Sequence, residues 1–432
     1  MATSKNYITV LLAAALFTRA VGDIVVPGAN GTDGVLNITA NTVIDLSRAV
    51  TAAWDSDNST NEGKGVYDAS KWAVVFKYSS VTIRSNATVT FRNHASRAPV
   101  VWLVSGDVLI EGGAVLNLSG QDSGQTVWTG LAEPGPGGFR GGSEYVFFGA
   151  GSGPGFGPGG GSSGGYNQDW PGRSAGHAQN SSYWGLFEGV YGNPSLLPLV
   201  GGSGGGGAYS GDRQGGGGAG GGAILIAVRG TTTLLGGISA KGGSGSPRGG
   251  HGDGRGNGSG GAIRLITDNL TGGGFLDTRG GEYWNSGSPG RIRIERVSTD
   301  GNLAFNPLNP SVVPLQAGAT AQVWLPTNGP SVRIVSIGGV AAPADPRANF
   351  GGAGADVSLP QTDTVAVLLE TTNVEDAATV KVRFMPRANA QLVERSATLQ
   401  QVVSASPRVI RWTVDLPTTG GYAAIQARVI RP

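Results

Sequence analysis

The chain has 432 residues, 77 of them Gly and none Cys, with 31 basic against 29 acidic side chains and a formal charge of +2. Lack of cysteine excludes disulfides, thiolate catalysis and cysteine-ligated zinc or iron–sulfur sites. Near-neutrality excludes the basic field of a nucleic-acid binder, so stability has to come from packing and backbone pairing.

Residues 1–22 read as an export signal: Lys5 is the positive start, Tyr7 to Phe17 the apolar run and Ala20-Val21-Gly22 a small-residue cleavage site. The run is too short for a membrane span, and no later segment is long and apolar enough for one. Removing the signal takes Lys5 and Arg19 away and leaves 29 basic against the 29 acidic residues. A formally neutral surface lacks the repulsion that keeps copies apart, so the expected partner is the protein itself.

Residues 23–121 are β-rich, with strand-like pieces at Leu36 to Ile38 and Val43 to Leu46 before a repeating pattern sets in. One copy runs Val74, Phe76, Tyr78, then Val81 and Ile83, then Val89 and Phe91. The next runs Val100, Trp102, Val104, then Val108 and Ile110, then Gly112-Gly113, Leu116 and Leu118. After residues 122–222 the pattern resumes over 223–305, with Ile224, Ile226, Val228, Leu234, Gly236-Gly237 and Ile238, then Ile263, Leu265 and Leu276, then Ile292 and Ile294. Period-2 alternation sets one face of a strand against a core, and repetition of the unit lets each coil bury its apolar set on the next. The pattern predicts an all-β chain built on a parallel β-solenoid, or β-helix, with Phe76, Trp102, Val104, Ile110, Ile226, Leu265 and Ile294 pointing inward. Lys77, Arg264 and Arg293 fall on the opposite parity and are expected on a solvated outer face. Val101, Leu103 and Leu225 share that parity and need a cover, for which the glycine-rich insertions are the candidates.

Residues 122–222 form the largest insertion, and 14 of the 22 residues from Gly201 to Gly222 are Gly. The stretch also carries Trp128, Phe139, Tyr145, Phe147, Phe148, Phe156, Tyr166, Trp170, Tyr183, Trp184, Phe187, Tyr191 and Tyr209. That aromatic content predicts an ordered lobe of polyglycine or polyproline-II-like strands, pinned by aromatic anchors, rather than a flexible linker. Residues 306–330, rich in proline, read as a linker. Residues 331–432 then show six short strand-like runs, from Val332 to Ile430, at spacings that predict a small β-sandwich.

Few residues point to chemistry. Asp55, Asp57 and Ser59 offer oxygens at alternate positions, as calcium loops do, although Thr60 and Val66 stand where an EF-hand has Gly and Glu. Apart from this weak calcium site no cofactor is expected. Gly249 to Gly254 is a single imperfect β-roll-like calcium motif, and the Tyr183-Trp184 and Tyr283-Trp284 pairs suit either anchoring or sugar stacking. Gly160-Gly161-Ser162-Ser163-Gly164 has nucleophile-elbow spacing without the strand and helix that give it meaning. His94, His177 and His251 lack a second histidine at ligand spacing and read as surface or capping residues; Asp107, Asp268 and Asp277 are scattered and mark no catalytic cluster. Glycosylation acceptors occur at Asn30, Asn37, Asn58, Asn86, Asn117, Asn180, Asn257 and Asn269.

The strings SGDVLIEGGAVLNLSG, GGAILIAVRGTTTLLGGISAKGG and GGAIRLITDNLTGGGFLDTRGG resemble exported, glycine-rich bacterial surface proteins of largely unassigned function. More distantly, they are similar to the β-helix of filamentous-haemagglutinin-type adhesins. The resemblance implies export, a β-solenoid and a surface role, and transfers no catalytic residue. The expected function is that of a secreted structural protein of the cell surface or extracellular matrix, not an enzyme, assembling into a fibre. Asp23, Ile24, Val25 and Val26, freed by signal cleavage, are the expected strand donor, with the last strand, Tyr422 to Ile430, as the alternative. The alternatives are an adhesin that binds matrix glycans and a β-helix polysaccharide lyase.

Overall fold

The computed structural model describes residues 23–123, 131–143, 152–164, 172–179, 189–210, 213–246, 256–282, 286–299, 301–306, 310–346, 355–360, 363–387, 392–418 and 421–432. The export signal, Asn180, His251, the Gly249 to Gly254 motif and both Tyr-Trp pairs lie outside the described residues. Among the described residues the one helix is a three-residue 3-10 turn, Leu46–Arg48; all other regular structure is strand.

Six strand segments lie side by side in one sheet: Ala73–Ile83, Val100–Val104, Ala223–Leu234, Ala262–Thr271, Arg291–Thr299 and Ser311–Pro314. All of these neighbours are parallel. Their register follows the sequence repeat: Val74, Val100, Ile224, Ile263 and Ile292 form one cross-strand row, and Phe76, Trp102, Ile226, Leu265, Ile294 and Val312 another. A second parallel sheet stacks Thr42–Asp45, Thr88–Arg92, Val115–Asn117, Gly237–Ser239, Phe275–Asp277 and Ala304–Asn306, with Val89, Leu116, Ile238, Leu276 and Phe305 in one row. The inward residues of both sheets form a single core that contains all seven predicted inward positions. Each fully buried side chain of this size contributes roughly 1.5–3 kcal/mol. Between the sheets the corner Gly113 has φ +75°, and a Cβ there would strike the Asn86 side chain, so glycine is required on both counts.

The outer face of the first sheet is not solvated, which corrects the expectation for Lys77 and Arg264. Val75, Val101, Leu103, Leu225, Ala227 and Ile266 form a second core with Ile24, Val26, Leu196, Leu199, Ala321 and Val323. Lys77 and Arg264 are buried beneath this cover, and Arg293 is mostly buried. The physical reason is that a parallel sheet normally has both faces covered. Much of the cover comes from the N-terminal arm and from residues 315–324; among the described residues of the long insertion, Leu196 and Leu199 contribute. The stretch read as a linker is therefore largely structured: Ser311–Pro314 extends the first sheet and Ala321 and Val323 pack on it.

Each glycine-rich segment leaves after a second-sheet strand and returns at the start of a first-sheet strand, so successive segments pile against one another. Their backbones pair with a period of three. Phe139 and Gly142 donate to Gly202 and Gly205 (3.0 and 2.8 Å), while Gly202 and Gly205 donate to Gly221 and Gly218 (2.7 and 2.9 Å). Gly218 and Gly221 in turn donate to Gly256 and Ser259 (2.9 and 3.0 Å). Three residues per turn is the repeat of the extended polyproline-II form, whose backbone groups are free to bond sideways. Side chains are excluded by distance: a Cβ on Gly201 would lie 2.6 Å from the Gly221 carbonyl oxygen.

The C-terminal part has two antiparallel sheets. One orders Val340–Ala341, Ser331–Ile337, Thr364–Thr372, Arg408–Pro417 and Thr398–Ala405; the other orders Val393–Ser396, Thr379–Pro386 and Ala423–Ile430. Val367, Leu369, Val380, Val382, Phe384, Ile410 and Trp412 from both sheets share one core. This part is seated on the rest of the chain: Phe156 packs on Met385 and Leu392, Ser143 Oγ donates to the Arg387 carbonyl (2.6 Å), and Tyr67 Oη donates to Asp345 (2.5 Å).

Candidate functional site

The loop from Trp54 to Gly65 closes over the first sheet and brings the weak calcium candidates to a buried lysine. Lys77 lies at the covered face, and its Nζ donates to the Ser56 carbonyl between Asp55 and Asp57. Burial pulls the Lys77 pKa down, while the charges of Asp33, Asp55 and Asp57 pull it back up. Asp33 accepts from the Lys77 backbone N–H (2.6 Å) and from Asn58 Nδ2 (2.8 Å); burial raises its pKa above the usual carboxylate range. Asp57 accepts from the Ser59 N–H (2.9 Å), which holds its carboxyl low. The Lys77 ammonium thus pins this loop to the sheet through the Ser56 carbonyl.

The other sequence candidates are dispersed. Asn30, Asn37 and Asn86 are exposed and Asn117 and Asn269 half-buried, whereas Asn58 and Asn257 are buried. Asn257 Oδ1 accepts from the Gly245 N–H (2.8 Å), and no glycan fits on either buried amide in the folded chain. His94 and His177 are buried rather than on the surface: His94 stacks on Tyr67, and His177 lies inside the glycine layer. Ser162 and Ser163 are buried in the same layer. Asp107 accepts from the Thr231 N–H (2.7 Å) and Asp277 pairs with Arg279 (2.7 Å), each serving its own corner.

The arm Asp23 to Val26 is occupied within its own chain. Val25 bridges to Thr320 in parallel, its N–H donating to Ala319 (2.9 Å) and its carbonyl accepting from Ala321 (2.8 Å), while Ile24 and Val26 are buried on the sheet. Alternation, Ile24 and Val26 in with Val25 out, makes the arm a cover strip rather than a free donor. Asp23 forms a surface pair with Arg229 (3.4 Å).

Open strand edges lie at both ends of the parallel sheets and also in the C-terminal sheets, where, among the described residues, Val340–Ala341, Thr398–Ala405, Val393–Ser396 and Ala423–Ile430 each have one neighbour. Gly34–Ile38 and Thr42–Asp45 each have one strand neighbour at the N-terminal end, and Ala304–Asn306 and Ser311–Pro314 have one each at the other. Val35 and Val43 are 66% and 62% exposed at the first end, and Val312 is 43% exposed at the second.

Comparison with protein-family models, with curated proteins and with solved structures finds no match to this chain.

Proposed function

We propose that the protein is an exported structural component of a cell surface or extracellular matrix. Its coils form a β-solenoid carrying a glycine-rich lobe and a C-terminal β-sandwich, and copies stack end to end. The observation that carries this reading is the pair of open strand ends with their exposed valines. An unpaired strand edge accepts another strand, and a head-to-tail contact does not close, so it propagates as a filament. The near balance of charges leaves little repulsion to oppose stacking. Among the described residues no preorganised acid, base or nucleophile accompanies these features.

Electron microscopy and sedimentation of the mature protein test the reading. Filaments, or a concentration-dependent series of oligomers, are expected, and Val43→Lys should abolish them while leaving the circular dichroism spectrum unchanged. Monodisperse particles at all concentrations overturn it. Deleting Asp23 to Val26 does not serve as the test, because it strips the cover from Leu103 and Leu225.

A further inference from the structure

The edges of the two C-terminal sheets differ in how they are guarded. Val340–Ala341 is two residues long, Val393–Ser396 carries Glu394 and Arg395, and Ala423–Ile430 carries Arg428. Shortness and charge are the usual means of keeping a strand edge from pairing with another chain. Thr398–Ala405 has neither: its eight residues, TLQQVVSA, include no charge and no proline, and all but Ser404 are exposed. Leu399, Val402 and Val403 stand 39%, 42% and 45% exposed along it.

The pairing of this strand with Arg408–Pro417 sets which way its side chains face. Leu399 lies across from Trp412 and Val402 from Ile410, and directly opposed residues share a face of a sheet, which here is the core face. Plain alternation sets residues three apart on opposite faces. The register shift between Leu399 and Gln401 adds one residue and brings Leu399 and Val402 to the same face. Both are nevertheless left out of the core that holds Trp412 and Ile410, because the three-stranded sheet does not cover them. The result is an apolar ledge beside an open row of backbone donors and acceptors.

We propose that this edge pairs antiparallel with the same edge of a second copy, joining the two five-stranded sheets into one continuous sheet across a two-fold axis. An isologous contact requires a strand to complement itself. Thr398–Ala405 meets that requirement: with no charge along it, no like charges oppose one another across the pair, and a charged foreign strand finds no counter-charge. With the axis perpendicular to the merged sheet, both three-stranded sheets lie on the same side of it. The Leu399 and Val402 ledges of the two copies then adjoin, and each covers the other. The inference stands apart from end-to-end stacking, because a two-fold contact closes as a dimer whereas stacking propagates.

Sedimentation equilibrium of the mature protein carrying Val43→Lys provides the test, since that variant separates the two-fold contact from any end-to-end one. A monomer–dimer equilibrium is expected. Adding Val402→Lys should weaken the dimer about tenfold or more, by removing apolar cover and setting two ammonium groups near the axis. Val340→Lys, at the opposite edge, should leave it unchanged. The chain has no cysteine, so a single introduced one reports on its own neighbour. Gln401→Cys, in the middle of the strand, should cross-link one copy to another under mild oxidation, and Val340→Cys should not. Circular dichroism establishes that each variant is folded. Monomers at every concentration overturn the proposal and leave the edge to a strand of another protein. A dimer of unchanged affinity in folded Val402→Lys, or no cross-link through Gln401→Cys, overturns it as well and places the contact elsewhere.

Discussion

His177 and Tyr191 stack ring on ring inside the glycine layer, with centroids 4.5 Å apart and planes 12° from parallel. Both are buried, and each rivets a separate strand: His177 Nδ1 bonds to the Gly260 carbonyl (2.7 Å), and Tyr191 Oη donates to the Gly201 carbonyl (2.6 Å). Bonding to a carbonyl places the proton on Nδ1, and burial keeps the ring neutral.

Burial, with a smaller contribution from Arg291, pushes the His177 pKa down to about 4, while its Gly260 bond opposes the shift. The unfolded chain protonates this histidine near its ordinary value, so between about pH 6.5 and 4 the unfolded state holds more protons. His177's contribution is therefore complete above pH 6.5 and falls away toward pH 4, by up to about 3 kcal/mol. Denaturant unfolding at pH 7 and 4.5 should show this loss in wild type and a clearly smaller one in His177→Gln. Equal losses would show that the ring titrates normally.

Leu103 distinguishes a covered outer face from a solvated one. If its cover is real, Leu103→Ala should cost about 2–5 kcal/mol, as in any core. Val43→Ala, at an exposed position, should stay within about 0.5 kcal/mol. Chemical denaturation of both variants supplies the comparison.

Glu295 holds two guanidinium groups under that cover: Arg264 through Nε (2.9 Å) and Nη2 (2.7 Å), and Arg293 through Nε (2.7 Å). Removing the shared carboxylate leaves buried positive charge without its counterion. Glu295→Gln should therefore cost about 3 kcal/mol or more, and adding Arg264→Met should recover part of the loss. Stability measurements on the single and double variants should be non-additive.

The glycine layer predicts a contrast between two glycines. A Cβ on Gly204 would fall on the Arg140 carbonyl, whereas one on Gly112 meets nothing. Gly204→Ala should destabilise by about 1–3 kcal/mol through overpacking, while Gly112→Ala should be neutral or slightly stabilising. Thermal melts of the two variants would separate them.

The rows of the two parallel sheets were legible because they are written locally. Alternation at Val100, Trp102 and Val104, followed by Gly112-Gly113, sets both the face and the corner, and the same text at Ile224 to Gly237 sets the register. What was not legible depends on contacts across hundreds of residues. Nothing near Ile24 or Ala321 says that they meet over Leu103, so the sequence points to the glycine-rich insertions as its cover and to a solvated face for Lys77 and Arg264. Glu295, two residues from Arg293, was the local hint that those charges were paired.

The bridge between Val25 and Thr320 sets the mechanical load path of the molecule. It ties the start of the described chain to the segment that follows Ser311–Pro314, so tension applied between these two points is borne first by a short clasp and not by the parallel sheets. The bonds of that clasp, to Ala319 and Ala321, flank Thr320 on the same strip, and Ile24 and Val26 anchor it from beneath. Were it to open under pull, it would release chain length and uncover Val101, Leu103 and Leu225 while every row of the stack stayed paired. The molecule would then yield in a first step at its cover, with the parallel sheets held in reserve.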